Sequence, residues 1–164
     1  MFRELAKIVL AIQLSAPTMP AVQAEAYAKI IKQQAEVFDI DPLLTVSVAK
    51  HESRWNPMAI SSDHLDYGLM QIRCGLAYKA PCQDLFNPET NIRMGTYLIA
   101  KNRDFCRKWL KREPTITEYM ANYAGTYRFC TPTRISRNFE SYRACLESVV
   151  ENGANTDCNK VFRQ

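Results

Sequence analysis

Apolar residues recur at three- and four-residue spacing through most of the chain, and that period predicts helices. Between Glu25 and Phe38, Ala28, Ile31, Ala35 and Phe38 fall on one face. Asp39-Ile40 is a short joint. Asp41 is a good N-cap and Pro42 stands where proline starts helices well. The next helix carries Leu43, Leu44, Val46, Val48 and Ala49, apolar on every side, which predicts a central, buried element. It is expected to run to about Glu52 and to be stopped by Asn56-Pro57. Residues 57–67 form a polar loop, and Gly68-Leu69-Met70-Gln71-Ile72 is an apolar run too short for periodicity to assign. Further helices are predicted over about 88–109, 117–124 with a break at Gly125, and 136–151. The chain contains no internal repeat, low-complexity stretch or dividing linker. A single, mainly α-helical domain is the expectation.

The first 24 residues follow a different pattern. Arg3 and Lys7 lie in a charged start, Ile8 to Ile12 begin an apolar stretch, and Pro17 and Pro20 interrupt it. Val22-Gln23-Ala24 offers small residues where a signal peptidase reads. This is the layout of a secretory leader over residues 1–24, with cleavage after Ala24; an ordinary amphipathic N-terminal helix is the alternative. The six cysteines, Cys74, Cys82, Cys106, Cys130, Cys145 and Cys158, all lie outside that segment. An even set in a small exported chain reads as disulfides. The closest pair, Cys74 and Cys82, is spaced too widely for an ordinary zinc knuckle and is expected to close a local loop.

Composition narrows the function. The chain has 164 residues, 47% of them apolar, enough for one core. No apolar run is long enough for a membrane span. Lys and Arg number 21 against 17 acids, a formal +4 with the basic residues scattered, so a nucleic-acid surface is not expected. At that charge, weak attraction to an anionic polymer is the most to expect. His51-Glu52 begins a zinc-protease pattern, but Trp55 stands where the second histidine must be, and only His51 and His64 exist.

Glu52 is the first candidate for chemistry. It closes an apolar helix, and apolar surroundings favour the neutral form of a carboxyl group in general. A carboxylic acid that keeps its proton is what a general acid for glycoside cleavage requires. On position alone, a solvated helix-end residue is the commoner case.

Four ordered motifs add to this. His51-Glu52-Ser53-Arg54-Trp55-Asn56-Pro57, continued by Ala59-Ile60-Ser61, resembles the E-S-x-aromatic-N-P signature of soluble lytic transglycosylases. Gly68-Leu69-Met70-Gln71-Ile72 is similar to that family's G-L-M-Q-I motif. Asp84 to Ile92 with Gly95, Tyr97 and Leu98 resembles its third block, and Ala121-Asn122-Tyr123-Ala124-Gly125 its A-Y-N-A-G block. The resemblance implies a lysozyme-like α+β fold stapled by disulfides, in residues 25–164, with 126–164 a cysteine-containing C-terminal extension. It implies cleavage of peptidoglycan between N-acetylmuramic acid and N-acetylglucosamine, in the periplasm or outside the cell, by a monomer needing no metal or organic cofactor. Glu52 takes the catalytic acid's place and then serves as base toward the muramoyl 6-hydroxyl, closing a 1,6-anhydro ring.

Ser53, Met70, Gln71, Asn122 and Tyr123 are the matching candidates for substrate contact. Gln71 combines donor and acceptor, which suits sugar hydroxyls and acetamides. Ser53 equally suits a helix cap, Trp55 suits packing better than a sugar platform, and Asn91 suits a loop anchor. Two departures stand out. The last block reads Asn122-Tyr123 where the family has Tyr-Asn, so either residue can occupy the tyrosine's place beside Glu52. The loop before Gly68 carries Asp66, as in the smaller transglycosylases associated with secretion and conjugation machines. Asp66 is a possible second carboxylate, which would make the enzyme a lysozyme-type hydrolase, or a residue capping a turn. A glycan-binding or assembly protein that has lost the chemistry is the reading from another class.

Overall fold

The computed structural model describes residues 2–123 and 129–163. Its α-helices are α1 (Phe2–Ser15), α2 (Ala21–Phe38), α3 (Pro42–Ser53), α4 (Pro88–Leu110), α5 (Ile116–Tyr123) and α6 (Arg134–Asn152). Between α3 and α4 stands an antiparallel hairpin, β1 (Asp66–Tyr67) and β2 (Ile72–Arg73), with Asp66 opposite Arg73 and Tyr67 opposite Ile72. Short 3-10 helices span Cys82–Phe86 and Cys158–Arg163. The described residues are thus predominantly helical with one small sheet, and they carry three disulfides. The break expected at Gly125 lies outside the described residues.

Helix α3 is the central element. Every residue from Leu43 to Ala49 is buried, as its all-round apolar pattern requires. Asp41 caps it, its carboxylate accepting from the Leu43 N–H at 2.8 Å, with Pro42 in the first turn. The end lies one residue past the expected Glu52, but what stops the helix differs from expectation. Pro57 does not stop the helix; Arg54 (φ 53°) and Trp55 (φ 68°) turn left-handed directly after Ser53. Their N–H groups return to Lys50 O at 3.2 Å and Ala49 O at 3.4 Å. Non-glycine residues in that region cost about 1–2 kcal/mol each. Trp55 offsets this by burial: it stacks on Tyr27 at 5.9 Å and its indole N–H donates to Ser15 Oγ at 2.8 Å.

That serine belongs to the segment that also fits a leader. Ile8, Ala11 and Ile12 of α1 are wholly buried in the core, Lys50 Nζ donates to Ser15 O at 2.5 Å, and Asn159 donates to Leu14 O at 3.0 Å. Ala24, after which cleavage would fall, is buried inside α2. Ile8, Ala11 and Ile12 of the apolar run over residues 8–12 thus form the inner face of a helix here, with Leu10 exposed.

The C-terminal region packs on the same core. Phe139, Tyr142 and Leu146 of α6 are fully buried, and Ser47 Oγ on α3 donates to Phe139 O at 2.8 Å. Cys145–Cys158 ties the last 3-10 helix to α6. Cys74–Cys82 closes the local loop after the hairpin, and Cys106–Cys130 joins α4 to the segment before α6. Among the described residues no helix is long and apolar enough to cross a membrane.

Candidate active site

A cleft of about 790 Å³ opens between the end of α3, the hairpin, α4 and the end of α5. Its wall includes His51, Glu52, Asp66, Gln71, Arg73, Asn122 and Tyr123. Among its described lining residues, Glu52 and Asp66 are the carboxylates. They come from different elements, and the hairpin's own anchoring places them together.

The anchor is Asn91, fully buried on α4. Its Oδ1 accepts from Met70 N–H at 2.7 Å, and its Nδ2 donates to Tyr67 O and to Leu85 O, both at 2.8 Å. One amide therefore satisfies three buried backbone groups of the hairpin turn and the preceding 3-10 helix. Gly68 makes this possible. It has φ 77°, and a Cβ there would lie 2.2 Å from both Asn91 Nδ2 and Leu85 O. The close approach that glycine allows is thus to the protein's own anchor. Gly95 has a matching role, since a Cβ there would meet Met70 Sδ at 2.3 Å. Met70 itself is fully buried, so its side chain fills the core while its main chain serves the site.

Glu52 stands on the last turn of α3, its side chain 23% exposed. His51 Nδ1 is 3.5 Å from Glu52 Oε1, and the His51 ring meets Phe139 edge-on at 4.8 Å. Ser53 turns back into the helix, donating to Ala49 O at 3.2 Å.

Tyr123 closes the site from α5. Its hydroxyl donates to Met70 O at 2.8 Å, and its ring packs edge-on against Phe139. Burial raises the phenol's pKa well above its ordinary value, and the carboxylates of Glu52 and Asp66 push in the same direction. Tyr123 is therefore a neutral, proton-bearing dipole in this site at any physiological pH. Its neighbour Asn122 faces the disulfide. Asn122 Nδ2 lies 3.6 Å from Cys106 Sγ and 3.7 Å from Cys130 Sγ, and its Oδ1 accepts from Cys130 N–H at 3.5 Å. Both line the cleft, and the charge of Glu52 acts on the Tyr123 phenol. Ala124 and Gly125 of the same motif lie outside the described residues.

Asp66 is held by its cross-strand partner. Arg73 Nε donates to Asp66 Oδ1 at 2.9 Å and Arg73 Nη2 to Oδ2 at 2.8 Å, a two-pronged pair. Asp63 adds a third contact to Arg73 at 3.1 Å. Gln71, at φ 47°, spends its amide N–H groups on Gly68 O at 2.9 Å and Ala59 O at 3.2 Å. Sequence reasoning did not single out Arg73. Its position opposite Asp66 follows from the hairpin register, which a run of five apolar-rich residues does not reveal. Among the described residues no group of three histidine, cysteine, aspartate or glutamate side chains is placed to hold a metal ion.

Known proteins are similar to part of this chain. The chain is 31% identical over 94 residues to proteins named membrane-bound lytic murein transglycosylase C from Actinobacillus pleuropneumoniae serotype 5b (strain L20) and serotype 3 (strain JL03). The matched stretch covers 51% of this chain and 26% of each relative, so the chain spans about a quarter of their length. The residues that build the cleft fall almost entirely within 29–127, the stretch that matches the Transglycosylase SLT domain, and the chain belongs to that family.

Proposed function

We propose that the protein is an exported lytic transglycosylase of lysozyme-like architecture that opens peptidoglycan locally. The observation that carries this is the pairing in the cleft: Glu52 faces the opening beside a neutral Tyr123, while the other carboxylate, Asp66, is held by Arg73. Glu52 gives its proton to the oxygen between N-acetylmuramic acid and N-acetylglucosamine as the bond to the muramoyl C1 breaks. The Glu52 carboxylate then takes the proton of the muramoyl 6-hydroxyl while O6 bonds to C1. Proton and electron pairs balance within the substrate, no water is consumed, and one carboxyl group suffices. Tyr123, fixed by its bond to Met70 O, orients Glu52. Asn122 and Gln71 line the path of the strand, with Ser53 and Met70 supporting the helix end and the loop from behind.

The hydrolytic alternative needs Asp66 to activate water. Both Asp66 oxygens already accept from Arg73, so a lone pair on each is directed at the guanidinium. An aspartate two residues before Gly68 resembles the small transglycosylases associated with secretion and conjugation machines, and such a machine is the partner this reading favours. Three disulfides agree with an oxidising, extracytoplasmic setting. The test is release of soluble muropeptides from purified peptidoglycan. Glu52→Gln should lower the rate at least about a thousandfold with the fold intact, since it removes both acid and base. Asp66→Asn should still release the same products. Equal release by wild type and Glu52→Gln would remove Glu52 from the mechanism, and a product change in Asp66→Asn would favour the hydrolase.

A further inference from the structure

One face of α4 continues the cleft beyond the reacting groups. Leu98, Lys101, Asn102 and Phe105 line it at three- and four-residue spacing, and Trp109 follows one turn further. From Leu98 to Trp109 this stripe runs about 16 Å along the helix. Phe129, from the segment before α6, lies over its end. The Trp109 and Phe129 rings are stacked at 4.9 Å and 21°, and the Phe105 and Trp109 rings are nearly parallel, at 6.3 Å and 9°. Carbon surfaces touch at roughly 3.5–4.0 Å, so the latter pair is offset and forms a terrace rather than a closed sandwich. Phe105, Trp109 and Phe129 are 44%, 55% and 59% exposed.

The terrace is built into the fold. Cys106 follows Phe105 and Cys130 follows Phe129, so the Cys106–Cys130 disulfide clamps the two ends together. Phe129 (φ 43°) and Cys130 (φ 65°) are both left-handed, a conformation the disulfide and the Asn122–Cys130 contact help hold. Three large apolar rings kept in water by a covalent staple have no role in the core.

We propose that Phe105, Trp109 and Phe129 are a stacking platform for pyranose rings, an added subsite that grips the glycan strand as it leaves the Glu52 cleft. This deepens the transglycosylase reading and rests on it. Continuity with that cleft selects the occupant, since Phe105 and Phe129 share its wall with Glu52. The alternation of rings and aliphatic surface with Lys101 and Asn102 matches a sugar chain, whose apolar ring faces alternate with hydroxyl and acetamide edges. The platform favours long strands over short fragments.

The chain's two tryptophans make the test direct. Trp55 is 5% exposed and Trp109 is open, so quenching of tryptophan emission by acrylamide reports on Trp109. The probe is peptide-free strands of alternating N-acetylglucosamine and N-acetylmuramic acid, long and short, added to the oxidised Glu52→Gln protein. Long strands should shield Trp109 from acrylamide, and Trp109→Ala should weaken their binding about tenfold, the effect of losing one well-placed aromatic contact. Trp109→Phe should keep the affinity, which separates lost stacking from lost folding. Short fragments should bind all variants alike. Strands that bind as tightly to Trp109→Ala and leave Trp109 open would overturn the platform while leaving the enzyme reading intact, and would point to a protein partner on this face. Failure of the enzyme reading shows separately, as wild-type protein that neither sediments with peptidoglycan nor releases products, and it too would overturn the platform.

Discussion

Asn122 and Tyr123 are neighbours in sequence, yet one contacts a disulfide and the other bonds Met70 O beside the carboxyl proposed to react. From sequence both fit the family's tyrosine position. The choice depends on where α5 ends relative to the Cys106–Cys130 bridge and the Met70 carbonyl, contacts made across 16 and 53 residues. Tyr123→Phe keeps the packing on Phe139 and loses only the bond to Met70 O. Its kcat should fall about fivefold with little change in KM, as one neutral hydrogen bond is worth about 1 kcal/mol. Equal kcat in this variant would mean that the hydroxyl does not orient Glu52. Asn91 was legible as a loop anchor, although its three simultaneous bonds were not. Asn91→Leu leaves three buried backbone groups without their partner and should cost about 3 kcal/mol or more. Chemical denaturation reads that loss directly, and a change under 1 kcal/mol would contradict it.

At the scale of elements, sequence signals succeeded where they were local. Asp41-Pro42 starts α3 as expected, and the periods of α4 and α6 place both helices close to their observed ends. The hairpin was missed because two-residue strands carry no measurable alternation. The end of α3 falls within one residue of the expected Glu52, but its stop signal was misassigned to Asn56-Pro57 because nothing in the sequence marks Arg54 and Trp55 as left-handed; burial of Trp55 against Tyr27 and Ser15 decides it. Helix α1 is the sharpest case, since one apolar run suits a leader and a core face equally. Its packing predicts that a chain beginning at Glu25 melts about 10 °C or more below the full chain, from the lost burial of Ile8, Ala11 and Ile12. Equal melting temperatures would show that α1 adds nothing to the fold. Helix α5 carries a pH signature. Glu118 accepts from Thr115 N–H at 2.7 Å and pairs with Arg112, which holds its pKa down to about 2. A depressed carboxylate stabilises the fold above its unfolded pKa and is lost as pH falls through its folded one. The difference in melting temperature between wild type and Glu118→Gln should therefore be full at neutral pH and shrink from the ordinary carboxylate range down to about pH 2.

For the whole molecule, periodicity and the even cysteine set announced a mainly helical, disulfide-bearing fold, and the expected local pairing of Cys74 with Cys82 is observed. The other two bridges join residues 24 and 13 apart, and only the packing of α4 and α6 selects them from the remaining pairings. Cys106–Cys130 closes the longest of the three loops and should contribute about 3 kcal/mol by restricting the unfolded chain. Replacing both cysteines with alanine and following urea unfolding measures it; a loss under 1 kcal/mol would contradict the estimate. The architecture directs all of this toward one cleft, with Glu52 on the end of α3 and the hairpin fixed by Asn91. The central claim is that this cleft breaks the glycan strand with one carboxyl group and no water. Mass spectrometry of peptidoglycan digested by the oxidised protein tests it most directly. The account predicts muropeptides ending in 1,6-anhydro-N-acetylmuramic acid, lighter by one water than reducing ends and absent with Glu52→Gln; reducing ends that require Asp66 would contradict it.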